Sequence, residues 1–512
     1  MCQKKYLIML EFIIVLPVLF TIPTIFLWGA FVKAGQNGWS TLIPFYNLYV
    51  FLKIIKKPMW WYLLLIFPFI NVFMYMLMLV ELAKGFGKYG LGQQFLAVVV
   101  PFIYFPWVVY KEKADFVDPD DQPEIKKSVA REWTDAIIFA VVAATIIRTF
   151  IMEAYTIPTS SMEKSLLVGD YLFVSKMAYG PKLPNTPLSF PFVHHTMPLT
   201  KSTKSYLEWI ELPDIRFPGF GKVNRFDAVV FNYPAGDTVS TRFQSNVSYY
   251  SLVKQYGRKR VWTDKRNFGD IVYRPVDKRE NYIKRCIGLP GDTLQIKDRE
   301  VYINGKLIHN PGKQQFQYHV YTDGSSINPK ILDKLNITEG GRTNLPGDFI
   351  YVLTDEARDA LAKLPVVKKI EVLNEPAGMR DPDIFPQNVN FDWNRDNFGP
   401  LWIPKKGTTI KLTPKNLALY KRAIRVYEHN NLTIKNGKAY IDGKPADTYT
   451  FKMNYYWMMG DNRHNSADSR YWGFVPQNHI VGKAEFVWLS LDPNKSWLNG
   501  KIRWNKVMRM VK

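Results

Sequence analysis

Long apolar runs in the first third of the chain constrain its fold more than any other feature. A helix needs about 20 apolar residues to cross the hydrocarbon core of a bilayer. Runs near that length lie at Leu7 to Phe31, Trp60 to Leu82, Phe95 to Tyr110 and Ala136 to Met152. The first carries Glu11 and the third is short, so the other two fit a membrane span best. The sequence therefore predicts a multi-span membrane region of about three helices over residues 1–134 and a transmembrane anchor helix over residues 135–152.

Positive charges indicate how these helices are oriented. The connection 32–59 contains four lysines and no acidic residue, and the connection 111–135 contains five lysines and arginines. The loop 83–94 contains only two lysines. Connections rich in lysine and arginine stay in the cytoplasm, so the N-terminus and everything after Met152 are predicted to be extracytoplasmic.

The whole chain is basic, with 67 Lys and Arg residues against 45 Asp and Glu residues and a formal net charge of +22. Such a charge favours an anionic partner, either a nucleic acid or a layer of phospholipid headgroups. Because the chain has long apolar runs, we predict the lipid bilayer as this partner and no nucleic acid.

After Met152 the sequence changes to short runs of alternating or β-branched residues. Such runs begin at Tyr171, Asp227, Asp270, Val301, Ala439 and Ala484. The pairs Asn304-Gly305 and Asp442-Gly443 are typical of the two-residue turns of β-hairpins. Residues 153–512 are therefore predicted to form a mostly antiparallel β domain, with short helices near residues 248–259 and 354–364.

The residues that most often bind metals are not spaced for it. None of the seven histidines forms a paired-ligand motif, and Cys2 and Cys286 are too few and too far apart for a metal site or a disulfide framework. We predict no metal and no cofactor. A Ser-His-Asp triad stays open at this point, because its members converge in space rather than in sequence, although the chain has no G-x-S-x-G motif.

Three segments concentrate polar residues that are suited to chemistry. They are YTIPTSSMEKSLLVGD from Tyr155, NYIKRCIGLPGDTLQI from Asn281 and MMGDNRHNSADSRYWGFVP from Met458. In the first, a serine at the membrane surface is either reactive or part of a Ser/Thr-rich turn. In the second, burial of Lys284 would lower its pKa and make it a general base, whereas a surface position would leave it an ordinary lysine.

The blocks IPTSSMEKSLLVGD, NYIKRCIGLPGD and GDNRHNSADSRYWGFVP, in this order after a membrane span, resemble the signature segments of bacterial type I signal peptidase, also called leader peptidase. RFDAVVFNYP, from Arg225, resembles the strand that precedes the lysine segment. The resemblance implies a membrane-anchored, mainly β protein with an antiparallel β-rich catalytic domain. Residues 235–280 and 309–450 are then insertions relative to that domain.

The resemblance also implies a function and a location. The protein would be a serine endopeptidase that removes N-terminal signal peptides from exported preproteins after a small-x-small motif. It would be a multi-pass protein of the cytoplasmic (inner) membrane, with the catalytic domain on the periplasmic side. Its partners would be signal peptides, the phospholipid bilayer and, transiently, the secretion translocon.

Residue roles follow from the resemblance position by position. Ser161 matches the nucleophile and Lys284 the general base of a Ser/Lys dyad. Ser466 matches the serine that hydrogen-bonds the lysine and orients it. The Thr159 hydroxyl and the Ser161 backbone N–H would hold the oxyanion.

Further residues are implied around the dyad. Asp468 and Arg470 match a pair that fixes the site. The resemblance places the walls of the substrate pocket at Ile157, Pro158, Met162, Leu166, Tyr282 and Ile283. Ser160 replaces a glycine of the family pattern and Thr159 a serine. His464 stands where the family commonly has an acid, and a histidine there can make the site respond to pH.

Two other interpretations remain open from the sequence. Ser161 and Lys164 also satisfy S-x-x-K, the motif of penicillin-binding proteins and class A β-lactamases, but the accompanying S-D-N and K-T-G motifs are missing. The chain could instead be a non-enzymatic membrane-anchored scaffold for exported proteins. Lys284 and Ser466 beside Ser161 argue against that second interpretation.

Overall fold

A computed structural model describes residues 22–66, 70–123, 128–200, 202–310, 313–435 and 438–511. The chain divides into two compact units, Met1–Phe150 and Ile151–Lys512. The first unit is helical and the second is mainly β.

The described helices of the first unit are short, apart from two. They are Trp28–Lys33, Tyr46–Ile54, Trp61–Ile66, Ile70–Gly85, Leu91–Val99, Pro101–Pro106 and Val129–Ile146, with single turns at Gly38–Leu42, Trp107–Lys111, Pro119–Asp121 and Ile147–Ile151. The helices between Trp28 and Pro106 share one core, which includes the fully buried side chains of Leu27, Phe31, Phe51, Met78 and Leu82. Helix Val129–Ile146 contributes no buried residue to it.

The structure agrees with the predicted membrane spans to different extents. Among the described residues, one continuous helix, Val129–Ile151, is long and apolar enough to cross a membrane, and it contains most of the predicted anchor. The run Phe95 to Tyr110 was predicted as one span, but two helices bend by 111° within it. Val100 is the residue between them, and Pro101 disfavours a helical conformation for the residue before it.

The other two predicted spans are covered only in part. Helices Trp61–Ile66 and Ile70–Gly85 account for most of the run from Trp60 to Leu82, whereas residues 67–69 lie outside the described residues. Of the run from Leu7 to Phe31, everything before Ile22 also lies outside them.

The second unit contains the strands. In chain order they are β1 Met152–Thr156, β2 Asp170–Ser175, β3 Ala228–Asn232, β4 Thr238–Ser240, β5 Ile271–Tyr273, β6 Asn281–Gly288, β7 Thr293–Lys297, β8 Glu300–Ile303, β9 Lys306–Leu307, β10 Phe316–Thr322, β11 Gly340–Arg342, β12 Asp348–Leu353, β13 Val367–Val372, β14 Phe398–Trp402, β15 Thr409–Lys411, β16 Leu432–Lys435, β17 Lys438–Ile441, β18 Lys444–Pro445, β19 Thr448–Thr450, β20 Tyr455–Met459, β21 Val475–Pro476, β22 Ile480–Ser490 and β23 Arg509–Met510.

Short helices connect these strands. They are Ser160–Met162, Tyr249–Tyr256, Arg258–Thr263, Lys265–Phe268, Val276–Lys278, Pro329–Lys334, Asp355–Leu361, Pro414–Arg422, Ala423–Tyr427, Ser469–Trp472, Gln477–His479, Trp497–Asn499 and Trp504–Lys506. Tyr249–Tyr256 and Asp355–Leu361 confirm the two helices predicted from the sequence.

The main sheet has eight strands in the order β1-β2-β22-β3-β6-β20-β21, with β23 also paired to β22. Each pair in it is antiparallel, which confirms the predicted mainly β, antiparallel fold. Both predicted hairpin turns are also confirmed. Asn304 and Gly305 have φ of 52° and 79°, and Asp442 and Gly443 have φ of 50° and 82°, as a turn with two left-handed residues requires.

The two segments predicted as insertions differ in how separate they are. Residues 235–280 contain β4, β5 and four short helices, of which the first three surround a small core of Tyr249, Leu252, Val261 and Phe268. Residues 309–450 contain the sheet β11-β12-β10-β13, which has a core of its own. They also contain β14, which pairs with β7 outside the segment, so this segment is partly built into the body of the unit.

Candidate active site

Ser161 and Lys284 are in direct contact. Lys284 Nζ donates a hydrogen bond to Ser161 Oγ at 2.7 Å and another to the carbonyl oxygen of Ile283 at 3.0 Å. Lys284 lies on β6 and Ser161 in the short helix Ser160–Met162, and their exposed fractions are only 5% and 8%. The structure thus brings together the two residues predicted as base and nucleophile.

The surroundings of Lys284 favour its neutral form. Burial lowers the pKa of Lys284 from 10.5 to about 8, although the carboxylates of Asp468 and Asp461 oppose part of this decrease. A buried amine loses hydration that would stabilise its charge, which is why its pKa falls. Near pH 8 a large fraction of Lys284 is therefore neutral and able to accept a proton.

Ser161 is held by apolar anchors and by a close backbone contact. Met162 and Leu166 are fully buried in a cluster beneath the main sheet. The backbone N–H of Asn462 donates to the Ser161 carbonyl oxygen at 3.1 Å. A Cβ on Gly460 would lie 2.5 Å from that same oxygen and 2.3 Å from Ser466 Oγ, so only glycine fits at position 460.

Asp468 and Arg470 form the ion pair expected of them. Arg470 Nε donates to Asp468 Oδ1 at 2.9 Å and Arg470 Nη2 donates to Asp468 Oδ2 at 2.8 Å, and both side chains are fully buried. Asp468 Oδ2 also accepts the backbone N–H of Gly460 at 3.1 Å. The pair therefore ties the segment after β20 to the glycine that packs against Ser161.

Ser466 lies close to the dyad, where its hydroxyl packs against Gly460. The hydroxyl is buried and has no hydrogen-bond partner among the described residues. The hydrogen bonds that Lys284 makes to described residues go to Ser161 and Ile283. The role of Ser466 in orienting Lys284 stays a prediction.

The residues before Ser161 explain one departure from the family pattern. Thr159 is exposed and has an extended backbone with φ of −131°. Ser160 begins the 3₁₀ helix Ser160–Met162, in which φ is negative, so a serine fits without strain where the family pattern has glycine. No contact of the Thr159 hydroxyl bears on its predicted oxyanion role, which stays a prediction.

The six residues predicted as pocket walls divide into three groups. Ile157, Met162 and Leu166 lie in one apolar cluster, and Ile283 packs against it. Tyr282 packs against a different cluster, where its ring stacks on Tyr233 with centroids 4.5 Å apart. Pro158 is exposed. That these residues line a substrate pocket stays a prediction.

Sequence reasoning missed a charged network next to Lys284. Arg285 Nη2 lies 2.7 Å from Asp461 Oδ2, and both side chains have no exposed surface. Ser165 Oγ and Asn310 Nδ2 also donate to Asp461, at 2.7 Å and 2.9 Å. Burial by itself would raise the pKa of Asp461, but Arg285 outweighs this and lowers it. The sequence signal that could have indicated this network is Arg285, which directly follows Lys284 in the segment NYIKRCIG.

Lys164 does not contact Ser161. Its Nζ donates to the backbone carbonyl oxygen of Asn336, and it lies 3.9 Å from Glu163 Oε1. The S-x-x-K interpretation requires this lysine to meet the serine one helical turn away. The geometry therefore gives that interpretation no support.

Comparison with known proteins supplies the family. The family model described as signal peptidase, peptidase S26, matches residues 130–361 and 407–489, which is more than half of the chain. The chain belongs to this family. It is therefore a serine endopeptidase, and the family assignment predicted from the three sequence segments is confirmed.

Individual signal peptidases match over most of their length. The chain is similar to signal peptidase I of Rickettsia canadensis (strain McKiel), with 30% identity over 374 residues, covering 72% of this chain and 84% of the relative. It is similar to signal peptidase I of Buchnera aphidicola subsp. Acyrthosiphon pisum, with 27% identity over 365 residues, covering 71% and 76%. It is also similar to signal peptidase I of Pseudomonas aeruginosa, with 23% identity over 363 residues, covering 69% and 70%.

The signal peptidase match starts at residue 130, and a second family model covers residues before it. This model, described as a family of unknown function (DUF5684), matches residues 39–119. The helical first unit is thus similar to a family of its own, separate from the peptidase.

Proposed function

We propose that the chain is a membrane-bound endopeptidase that cleaves N-terminal signal peptides from exported preproteins after a small-x-small motif, with Ser161 and Lys284 as a catalytic dyad. The observation that carries this proposal is the 2.7 Å contact between Lys284 Nζ and Ser161 Oγ, in a setting that lowers the pKa of the lysine to about 8. Membership of the signal peptidase family supports the substrate class.

Lys284 is the base in this mechanism. When its amine is neutral, the Ser161 hydroxyl donates to it, and the amine takes the proton as Ser161 Oγ attacks the scissile carbonyl carbon. The Ser161 backbone N–H and the Thr159 hydroxyl would hold the negative oxygen of the tetrahedral intermediate. The ammonium of Lys284 then returns its proton to the leaving amine. Lys284 next takes a proton from a water molecule as the water oxygen attacks the acyl carbon, and it gives this proton to Ser161 Oγ when the acyl–Oγ bond breaks.

Two buried ion pairs support the dyad in this proposal. Arg285–Asp461 fixes the strand residue next to the base, and Asp468–Arg470 fixes the segment that packs on Ser161. The carboxylates of both pairs also raise the pKa of Lys284 and so limit how far burial lowers it. Removing one partner of such a pair leaves an uncompensated buried charge and costs about 3–5 kcal/mol.

The proposed specificity rests on the packing around Ser161. Met162 and Leu166 are fully buried and Ile157 nearly so, which leaves little depth for a side chain next to the scissile bond. Small residues at the cleavage site would fit, and large ones would overlap with the walls.

The proposed location is the cytoplasmic (inner) membrane, with several spans and the peptidase domain on the periplasmic side. The apolar helix Val129–Ile151, which directly precedes β1, and the cation-rich connections 32–59 and 111–135 support it. Signal peptides anchored in the same bilayer would reach the site by lateral diffusion. The phospholipid bilayer and, transiently, the secretion translocon are the partners that this location implies.

Cleavage by the full-length protein in detergent tests the proposal. A preprotein with Ala at both small positions should be cut at one site, identified by N-terminal sequencing of the product. Ser161→Ala should stop cleavage. Ser160→Ala, which removes the neighbouring hydroxyl, should leave the rate of cleavage unchanged. Cleavage by Ser161→Ala at the same rate as by the parent would refute the proposed nucleophile.

A further inference from the structure

Residues between 385 and 396 contact the segment 464–470 of the candidate site. They belong to a part of the chain that the signal peptidase family model does not match. That model matches residues 130–361 and 407–489, which leaves out 362–406. Within the omitted part, Asp396 Oδ1 lies 2.8 Å from His464 Nε2. The exposed fractions of the two side chains are 0% for His464 and 1% for Asp396. His464 is the position where the family pattern commonly has an acid.

The hydrogen bonds of His464 indicate which of its ring nitrogens carries the proton. Its Nδ1 accepts the backbone N–H of Gln317 at 3.2 Å, so Nε2 carries the proton that is donated to Asp396. Burial lowers the pKa of His464, and Arg395 and Arg470 act in the same direction, whereas Asp396 opposes them. His464 is thus a neutral donor at physiological pH.

Asp396 is held in turn by its own segment. Its Oδ2 accepts the backbone N–H of Glu375 at 3.0 Å and lies 3.7 Å from Arg395 Nε. Burial is the largest influence on Asp396 and by itself would raise its pKa, but His464, the Glu375 N–H and Arg395 together outweigh it, so the pKa of Asp396 is lowered. The pair is therefore a charged acceptor and a neutral donor, both away from water.

The same segment contacts the residues after His464 through the backbone. Arg470 Nη1 donates to the Arg395 carbonyl oxygen at 3.3 Å, and the Phe385 N–H donates to the Arg470 carbonyl oxygen at 2.8 Å. The Phe385 ring packs against Trp457 on β20, the strand that precedes this turn. Arg470 is thus held by Asp468 on one side and by the omitted segment on the other.

We propose that Asp396 and His464 are positioning residues for the peptidase reaction. Their hydrogen bond connects residues 362–406 to the turn 460–470. This turn carries Gly460, which packs against Ser161 and Ser466. It also carries Asp468, whose carboxylate acts on Lys284. The proposal rests on the proposed function of the dyad. It also explains the departure at position 464: an acid there would face the carboxylate of Asp396, whereas a histidine donates to it.

Three variants of the full-length protein test this in detergent with a preprotein substrate. His464→Asp puts two carboxylates together and should lower kcat about 10- to 100-fold, because small displacements of a catalytic site have effects of that size. Adding Asp396→Asn to His464→Asp removes one charge and restores a donor, so the double variant should regain about tenfold. Asp396→Asn alone should lower kcat least of the three variants, because the amide oxygen of asparagine can still accept the hydrogen bond from His464.

The readouts separate positioning from simple destabilisation. KM should stay within about twofold, and the acidic limb of the kcat/KM profile should move to lower pH, because the Asp468 carboxylate raises the pKa of Lys284 and would be displaced. Loss of folded protein would lower the rate without moving that limb. His319→Gln is the matched control, since His319 pairs with Asp348 at 2.9 Å in the sheet β11-β12-β10-β13.

The outcomes decide between the proposals. If His464→Asp keeps the parental kcat and pH profile, or the double variant is no better than His464→Asp, the positioning role is overturned while the dyad stands. If Lys284→Ala cleaves in the same assay, the dyad is overturned and the positioning role with it.

Discussion

Gly460 lies so close to Ser161 that a single added carbon atom would touch its backbone: a Cβ at position 460 would be 2.5 Å from the Ser161 carbonyl oxygen. The glycine is on the turn after β20 and the serine is on the connection from β1 to β2, so the contact joins two distant parts of the sequence. The position of the predicted nucleophile therefore depends on a residue that has no chemistry of its own.

Gly460→Ala should lower the rate of preprotein cleavage about 100-fold, because the Ser161 backbone and the Ser466 side chain must move to make room. Gly341→Ala is the control, since a Cβ there meets nothing within 4 Å. The measurement is kcat/KM of both purified variants. Equal activity of the two would show that the site tolerates the shift.

Lys284→Ala should abolish processing and leave the protein folded, whereas Lys164→Ala should retain most activity. Loss of a general base costs about 10²–10⁴-fold in rate, and Lys164 is directed to Asn336 rather than to Ser161. Single-turnover cleavage by the two variants measures this. An active Lys284→Ala protein with an inactive Lys164→Ala protein would favour the S-x-x-K mechanism instead.

Activity should fall towards acidic pH. Burial lowers the pKa of Lys284 to about 8, and the base works only when it is deprotonated, so kcat/KM should fall about tenfold for each pH unit below that value. Chelators and thiol reagents should leave the rate unchanged, because the proposed chemistry uses neither a metal nor Cys286. A rate that is flat from pH 5 to 8 would be incompatible with Lys284 as the base.

A preprotein with Phe at the residue before the cleavage site should be cut at least about 100-fold more slowly than one with Ala. The predicted pocket walls include Met162 and Leu166, which have no exposed surface and would have to be displaced to admit a large side chain. Initial rates with the two matched substrates give the ratio. Similar rates would mean that these residues do not form the pocket.

A reporter that is active only in the cytoplasm should give signal when fused after Pro119 and none when fused after Ile210. The cation-rich connection 111–135 should stay in the cytoplasm, and residues after Met152 should not. Fusion activities in whole cells, normalised to the amount of fusion protein, test the orientation. The reverse pattern would contradict it.

How much the sequence predicts depends on how local the signal is. The turns at Asn304-Gly305 and Asp442-Gly443 were predictable because two adjacent residues determine the backbone conformation. The bend at Val100 also had a local signal in Pro101, but the apolar pattern alone extends through it. The antiparallel sheet was predictable from short alternating or β-branched runs and the hairpin turns between them.

Contacts between distant segments were beyond the sequence alone. The hydrogen bond between Ser161 and Lys284 joins residues 123 positions apart, and only the resemblance to a known family indicated that they meet. The pairing of His464 with Asp396 had no signal, because Asp396 lies in a long segment without hydrophobic periodicity and outside the family pattern. The Ser466 hydroxyl is buried without a hydrogen-bond partner among the described residues, so its family-derived role in orienting Lys284 stays a prediction.

The pairing of β14 with β7 limits how this protein can be shortened. Removing residues 309–450 to obtain a smaller enzyme would delete β14 and leave the N–H and C=O groups of β7 unpaired along one side. A free strand edge of this kind recruits strands from other molecules. Truncated versions are therefore expected to aggregate, and a minimal soluble form would have to keep β14 or replace it with a strand of matching register.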